Sequence, residues 1–193
     1  MSAGLLQRWR ALAGEGADAL GEALIRAWDE PQRRYHNQRH LVWLLEEADR
    51  RAALIRDSAF VGYAIWFHDA VYQPGEADNE TLSADWARTS LAHLPDLAAR
   101  VANVIEMTKN HAAGEATGDA ALFLDMDIAI LGAPWETYCA YAAGIRAEYP
   151  HIVDPAFAAG RGAFLAKQLE HARTFRTELY ETEFGERARR SEE

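Results

Sequence analysis

Apolar residues recur at three- and four-residue intervals along nearly the whole chain, and that spacing leaves room for little other than helices. Leu20, Leu24, Ala27 and Trp28 form one stripe, ended by Pro31, and Leu41, Leu44, Leu45 and Ala48 form another behind Asn37, a good capping residue. Ser58 is expected to cap a helix whose Phe60, Ala64 and Phe67 face inward and which runs to about Asp69. The turn-rich stretch from Gln73 to Asp78 then precedes a helix capped by Asn79 and carrying Leu82, Trp86 and Leu91. Pro95-Asp96 opens a helix with Leu97, Val101, Val104, Ile105 and Thr108 on one face. It ends near His111, before a loop containing Gly114 and Gly118.

Asp119 to Leu131 reads as a further helix closed by Gly132, and Pro134 suits the first turn of one carrying Trp135, Tyr138, Tyr141 and Ile145. Pro150 stops that helix. Asp154-Pro155 opens a long carboxy-terminal pattern through Phe157, Phe164, Leu165 and Leu169, broken near Gly185. Richness in Ala, Leu, Glu and Arg, with little Val/Ile/Thr alternation, agrees with helices over strands. The expectation is an all-α, single-domain helical bundle of about eight or nine helices. In it, residues 1–30 form helices packing on the core, 31–185 form the main helical domain, and 186–193 form a charged tail.

Composition excludes several functions. With 193 residues and 49% hydrophobic content the chain can bury a core, so disorder does not fit. Its apolar runs fall far short of the roughly 18 residues of a membrane span. A net charge of −10 argues against polymeric nucleic acid, whose binding rests on clustered Lys and Arg. The amino-terminal stretch carries Arg8 and Arg10 where a secretory leader would be apolar, so a cytoplasmic location is expected. Cys139 has no partner within the chain and is expected to be a small core residue. Nothing in the sequence fixes the assembly state, and a homo-oligomer stays open.

Neither nucleotide-binding glycine fingerprint is present, since Gly14, Gly16 and Gly21 match neither, and a zinc cysteine cluster and a Gly-x-Ser-x-Gly elbow are also missing. What stands out is histidine. His40 sits in the first turn of an apolar helix, and His68 at the last turn of the most hydrophobic one, beside Trp66 and Phe67. Asp69 follows at a helix carboxy-terminus, where both the dipole and burial disfavour a carboxylate. Asp125 and Asp127 likewise interrupt the apolar run Leu122 to Leu131. Imidazoles and carboxylates in such surroundings need a shared cation, which a divalent metal supplies.

The order of a histidine, a His-Asp pair and a distant aspartate, all on helices, resembles the HD-domain superfamily of metal-dependent phosphohydrolases. Tyr35-His36-Asn37-Gln38-Arg39-His40 looks like the opening signature of the cyclic-nucleotide phosphodiesterases in that superfamily, and Phe67-His68-Asp69 through Pro74-Gly75 is similar to their His-Asp-x-x-His-Pro-Gly segment. Asp127-Ile128-Ala129-Ile130 stands where they carry a last ligand. As a whole the chain is more similar to small stand-alone bacterial HD phosphohydrolases, with Thr108-Lys109-Asn110-His111, Leu124-Asp125-Met126-Asp127 and Glu148-Tyr149. The resemblance covers roughly residues 30 to 185, making 31–185 an HD-type metal-binding domain. Tyr72 replaces the phosphodiesterases' second histidine and their Glu-rich substrate region has no clear counterpart, so cyclic-nucleotide specificity is not implied.

The resemblance implies that His40, His68, Asp69 and Asp127 ligate one divalent ion, favoured over two, with Mn, Fe, Co, Ni, Zn and Mg all suited to the set. Asp69 and His36 are then the catalytic pair, His36 donating a proton to the leaving group. Asp125 points about 200° away from Asp127 on a helix and is expected to support the ligands rather than join them. Further candidates for substrate or supporting contacts are Asn37, Tyr72, Asn79, Glu80, Lys109, His111 and Arg161, with Arg39 a further candidate phosphate contact. The implied activity is cleavage of a small phosphoester, nucleotide-like or otherwise. Two other readings stay open: a metal- or nucleotide-binding sensor without turnover, and an oxygenase with two irons, which needs extra ligands from His111, Glu80 or His93.

Overall fold

A computed structural model of the chain describes residues 2–111, 116–169 and 172–192. Gly114 of the expected loop and Glu193 of the charged tail lie outside the described residues. The described residues are all-α, without a strand among them, and nine helices reach ten residues or more. They fall into two compact units, Met1–Lys109 and Asn110–Glu193. No helix is long and apolar enough to cross a membrane.

The first unit holds α1 (Ser2–Ala13), α2 (Asp18–Ala27), α3 (Gln38–Arg50), α4 (Ser58–Phe67), α5 (Asn79–Ser90) and α6 (Pro95–Thr108). Its centre is α4, in which Phe60, Val61 and every residue from Tyr63 to Phe67 are buried. A helix apolar on all sides can sit only inside, wrapped by others. Trp9 of α1 meets the edges of Tyr63, Trp66 and Phe67 and donates its indole N–H to the Ala17 carbonyl at 2.8 Å. Trp28, just past α2, donates to the Trp66 carbonyl at 3.0 Å. The indoles of Trp9 and Trp28 thus each have an acceptor, as burial requires.

Asn37 caps α3 as expected, accepting from the Arg39 N–H at 2.9 Å. Two other caps are shifted by one residue. Asp57, not Ser58, caps α4, accepting from Phe60 N–H at 3.0 Å, and Asp78 occupies the cap position of α5 while Asn79 begins the helix. Asn79 instead accepts from Gln73 N–H and donates to the Gln73 and Glu76 carbonyls, closing the turn before α5. The inward face of α5 is Asn79, Ser83, Ala84 and Ala87, and Leu82 is exposed. Small residues let α5 lie close along α6, and a stripe read from large side chains alone misplaces the face.

The Phe60 N–H, and more weakly the Arg100 guanidinium, hold the Asp57 carboxyl below the usual carboxylate range against the opposing effect of burial. A depressed carboxylate stabilises the fold above its ordinary pKa, and that contribution is lost as pH falls through the native value. Asp57→Ala should therefore cost about 1 kcal/mol at neutral pH, measured by urea denaturation, and the gap from wild type should close in acid below about pH 4.

The second unit holds α7 (Gly118–Ile128), continued by a 3-10 turn to Gly132, α8 (Trp135–Glu148), α9 (Asp154–Leu169), the short α10 (Glu178–Tyr180), a π-turn over Glu181–Gly185 and α11 (Glu186–Glu192). The long carboxy-terminal pattern expected to break near Gly185 stops earlier: α9 ends at Leu169, residues 172–177 are non-helical, and the chain is helical straight through Gly185 by way of the π-turn. Cys139 is exposed, contrary to the expectation of a core residue. The buried face of α8 is Tyr138, Tyr141, Ile145 and Glu148, and Cys139 is one residue, about 100°, off that face. Trp135 also lies outside it, 65% exposed and stacked on Tyr138.

Candidate metal centre

Three side chains of the first unit converge on one point. His40 enters from the first turn of α3, while His68 and Asp69 follow directly on α4. One donor atom from each lies within 4.8 Å of the others. His40 and His68 bring their Nε2 atoms 3.4 Å apart, and His68 Nε2 lies 3.3 Å from Asp69 Oδ2. His40 and His68 are buried, and the Asp69 side chain is 17% exposed.

The chemistry of this donor set fits a cation. His68 Nδ1 lies 3.0 Å from the Ile65 carbonyl, which accepts its hydrogen and leaves a lone pair on Nε2. That nitrogen lies 3.3 Å from the Asp69 carboxylate and 3.4 Å from His40 Nε2, so the three side chains present donor atoms that one cation can bridge. A metal ion satisfies all three donors at once, and His40, His68 and Asp69 can hold one.

Arg33, which no sequence pattern singles out, ties the site together. Its fully buried guanidinium donates to the carbonyls of His36 at 3.0 Å, Asp69 at 2.7 Å and Ala70 at 3.1 Å. Nε pairs with Glu30 at 3.1 Å, and the group lies over Trp28 and Tyr72 at 5.5 and 5.4 Å. One side chain thus fastens the segment bearing His36 to the one bearing Asp69. In the sequence it sits among Pro31, Gln32 and Arg34, a context that reads as solvated surface.

His36 is half-buried, with its ring 4.3 Å from Tyr72, 5.0 Å from Tyr35 and 6.0 Å from His40. Glu80 opens α5, and its carboxyl is pushed up chiefly by burial, with the negative charge of Asp69 adding to the effect. Asn37 and Asn79 are engaged in the cap and turn described above. Lys109 donates to the Ala77 carbonyl, and Arg39 is exposed.

The remaining candidates belong to the second unit. Asp127 Oδ2 lies 3.1 Å from His111 Nε2, both side chains 11% exposed, and His111 Nδ1 is buried without a hydrogen-bond partner among the described residues. Asp125 is wholly buried. It accepts from Arg176 N–H at 2.8 Å, Thr177 N–H at 2.7 Å and the Thr177 hydroxyl at 2.7 Å, anchoring the segment before α10. Burial pushes its carboxyl up while those donors pull it back. Arg161 donates to the Tyr141 hydroxyl at 2.8 Å.

Comparisons with models of known protein families, with curated proteins and with solved structures each find no match to this chain.

Proposed function

We propose that the chain is a divalent-metal-dependent phosphohydrolase of the HD type, acting on a small phosphoester. The observation that carries this reading is the convergence of His40, His68 and Asp69, whose donor atoms lie within 4.8 Å of one another although the residues come from two separate helix ends. Two imidazoles and one carboxylate make a nitrogen-oxygen set that leaves coordination positions for water and substrate. A divalent ion so held supplies a Lewis acid that acidifies water and offsets charge on a phosphoryl group.

The chain's own residues have distinct tasks in this reading. Ile65 and Arg33 orient His68 and Asp69 through the hydrogen bonds described above. His36, next to the cluster and tilted against Tyr72, holds the proton that the leaving oxygen takes up. Glu80, whose carboxyl burial pushes up with the charge of Asp69 adding to the effect, would accept a hydrogen from water. The metal also answers the charge problem: a protein of net charge −10 attracts a small phosphate ester through a local cation rather than through its overall field.

The test is a panel of phosphate mono- and diesters assayed with Mn²⁺, Fe²⁺, Co²⁺, Ni²⁺, Zn²⁺ and Mg²⁺ in turn. At least one pairing is expected to release phosphate or alcohol. Chelation should abolish the activity and readdition of the ion should restore it, while His36→Ala should lower turnover by about 10²–10⁴-fold with metal still bound. Activity indifferent to chelator, or equal in His36→Ala, contradicts the assignment.

A further inference from the structure

The second unit carries a cleft of about 400 Å³ formed by the end of α8, the turn after it and α9. Ile145, Tyr149, Ile152, Phe157 and Phe164 give it apolar, largely aromatic walls, and Arg161 is the one cation lining it. That arginine is held in place. Its Nη2 donates to the Tyr141 hydroxyl at 2.8 Å, and its guanidinium lies over the Tyr141 ring at 5.0 Å and the Phe164 ring at 4.9 Å. Among the described residues no carboxylate pairs with it.

Arg146, on the same helix turn as Ile145, shows the contrast. It lies over Phe157 at 4.9 Å, but Asp154 neutralises it at 2.6 Å and its other donors reach the Tyr149 and Ile152 carbonyls. Arg146 therefore staples the turn that shapes the cleft, and its charge is spent inside the protein. Arg161 is equally well fixed yet keeps its charge and the rest of its donor fork, in a chain with ten more acidic than basic residues (30 against 20). A pre-oriented guanidinium beside aromatic walls is a recognition element for a planar anion.

We propose that this cleft binds a small organic anion with a flat aromatic body. Its carboxylate or phosphate meets Arg161, and its ring lies among Tyr149, Phe157 and Phe164. The fork of Arg161 sets the head-group charge, and the walls set the body. The site is contained in the second unit and does not depend on the metal centre of the first.

Gly160 provides a probe, because it lines the cleft and a Cβ added there meets nothing within 4 Å. Leucine is also the better helix former. Naphthoate, naphthyl phosphate and the neutral naphthalenemethanol would be titrated calorimetrically into the full chain. Chelator is present throughout, which removes any metal contribution from the comparison. Both anions are expected to bind at least about tenfold tighter than the alcohol. Arg161→Gln should erase that preference while leaving the alcohol's affinity unchanged, and Gly160→Leu should weaken all three ligands with helicity retained. Tighter binding of the phosphate than of the carboxylate identifies a phosphate ester as the ligand class, and the reverse order identifies a carboxylate. Equal binding of alcohol and anions to wild type, no binding at millimolar ligand, or affinities untouched by Gly160→Leu overturns the proposal. Metal-dependent ester hydrolysis can persist in any of those cases, so the two readings fail separately.

Discussion

Replacing His68 with alanine is expected to weaken divalent-metal binding by on the order of hundredfold or more, the largest single effect in the molecule. The side chain supplies one of three donors. It is also the one whose orientation is locked, through Nδ1–H to the Ile65 carbonyl at 3.0 Å. Its removal leaves His40 and Asp69 without the atom that both approach, at 3.4 and 3.3 Å. Without metal the variant should lose less stability than an ordinary core truncation of that size, because the substitution also removes Nε2 from beside the half-buried Asp69 carboxylate. Isothermal titration with Mn²⁺, paired with urea denaturation of the metal-free proteins, separates the two effects. Unchanged Mn²⁺ affinity would remove His68 from the ligand set.

Arg33→Met carries the second large effect. Methionine keeps the apolar stem against Trp28 and Tyr72 but leaves the carbonyls of His36, Asp69 and Ala70 without this donor in a largely buried region. Removing the donor from three carbonyls, one buried and two partly buried, should cost on the order of 3 kcal/mol. The loosened segments should also weaken metal binding by roughly 10–100-fold, the usual size of a loss from a group that orients ligands. Arg33→Lys restores charge but cannot span three carbonyls with a planar fork, so it should recover only part of either loss. Urea midpoints and Mn²⁺ titrations read the two effects. A variant with wild-type stability and affinity would show that the clamp is dispensable.

How much of this was legible beforehand depends on the kind of information involved. The all-α fold was, because stripes such as Leu41, Leu44 and Leu45 express burial directly in their spacing. Charge reasoning and the family resemblance anticipated a cluster of His40, His68, Asp69 and Asp127; the first three converge, and Asp127 pairs with His111 in the second unit. Cap identity was harder: Asp57 and Ser58 are both capping types, and local geometry gives the hydrogen bond to Asp57. The faces of α5 and α8 misled because small inward residues such as Ser83 and Ala84 carry no apolar signal, while Trp135 and Cys139 carry one and lie outside. Arg33 was invisible for a different reason. A buried arginine is defined by the carbonyls that surround it, and those come from residues 36, 69 and 70, the last two more than thirty positions away. The division at Lys109–Asn110 falls beside the helix end and glycine-containing loop read from the sequence, but no composition shift distinguishes that loop from the other connections.

The central claim, that His40, His68 and Asp69 form a divalent-metal centre, is tested most directly by titrating the chelator-stripped chain with Co²⁺ and following its visible d–d absorption. That spectrum reports nitrogen and oxygen ligands as they bind. The account predicts a ligand-field band that saturates at about one equivalent per chain and is lost in His68→Ala and in Asp69→Ala with helicity intact. A wild-type protein that develops no band, or a band that survives both substitutions, would contradict it.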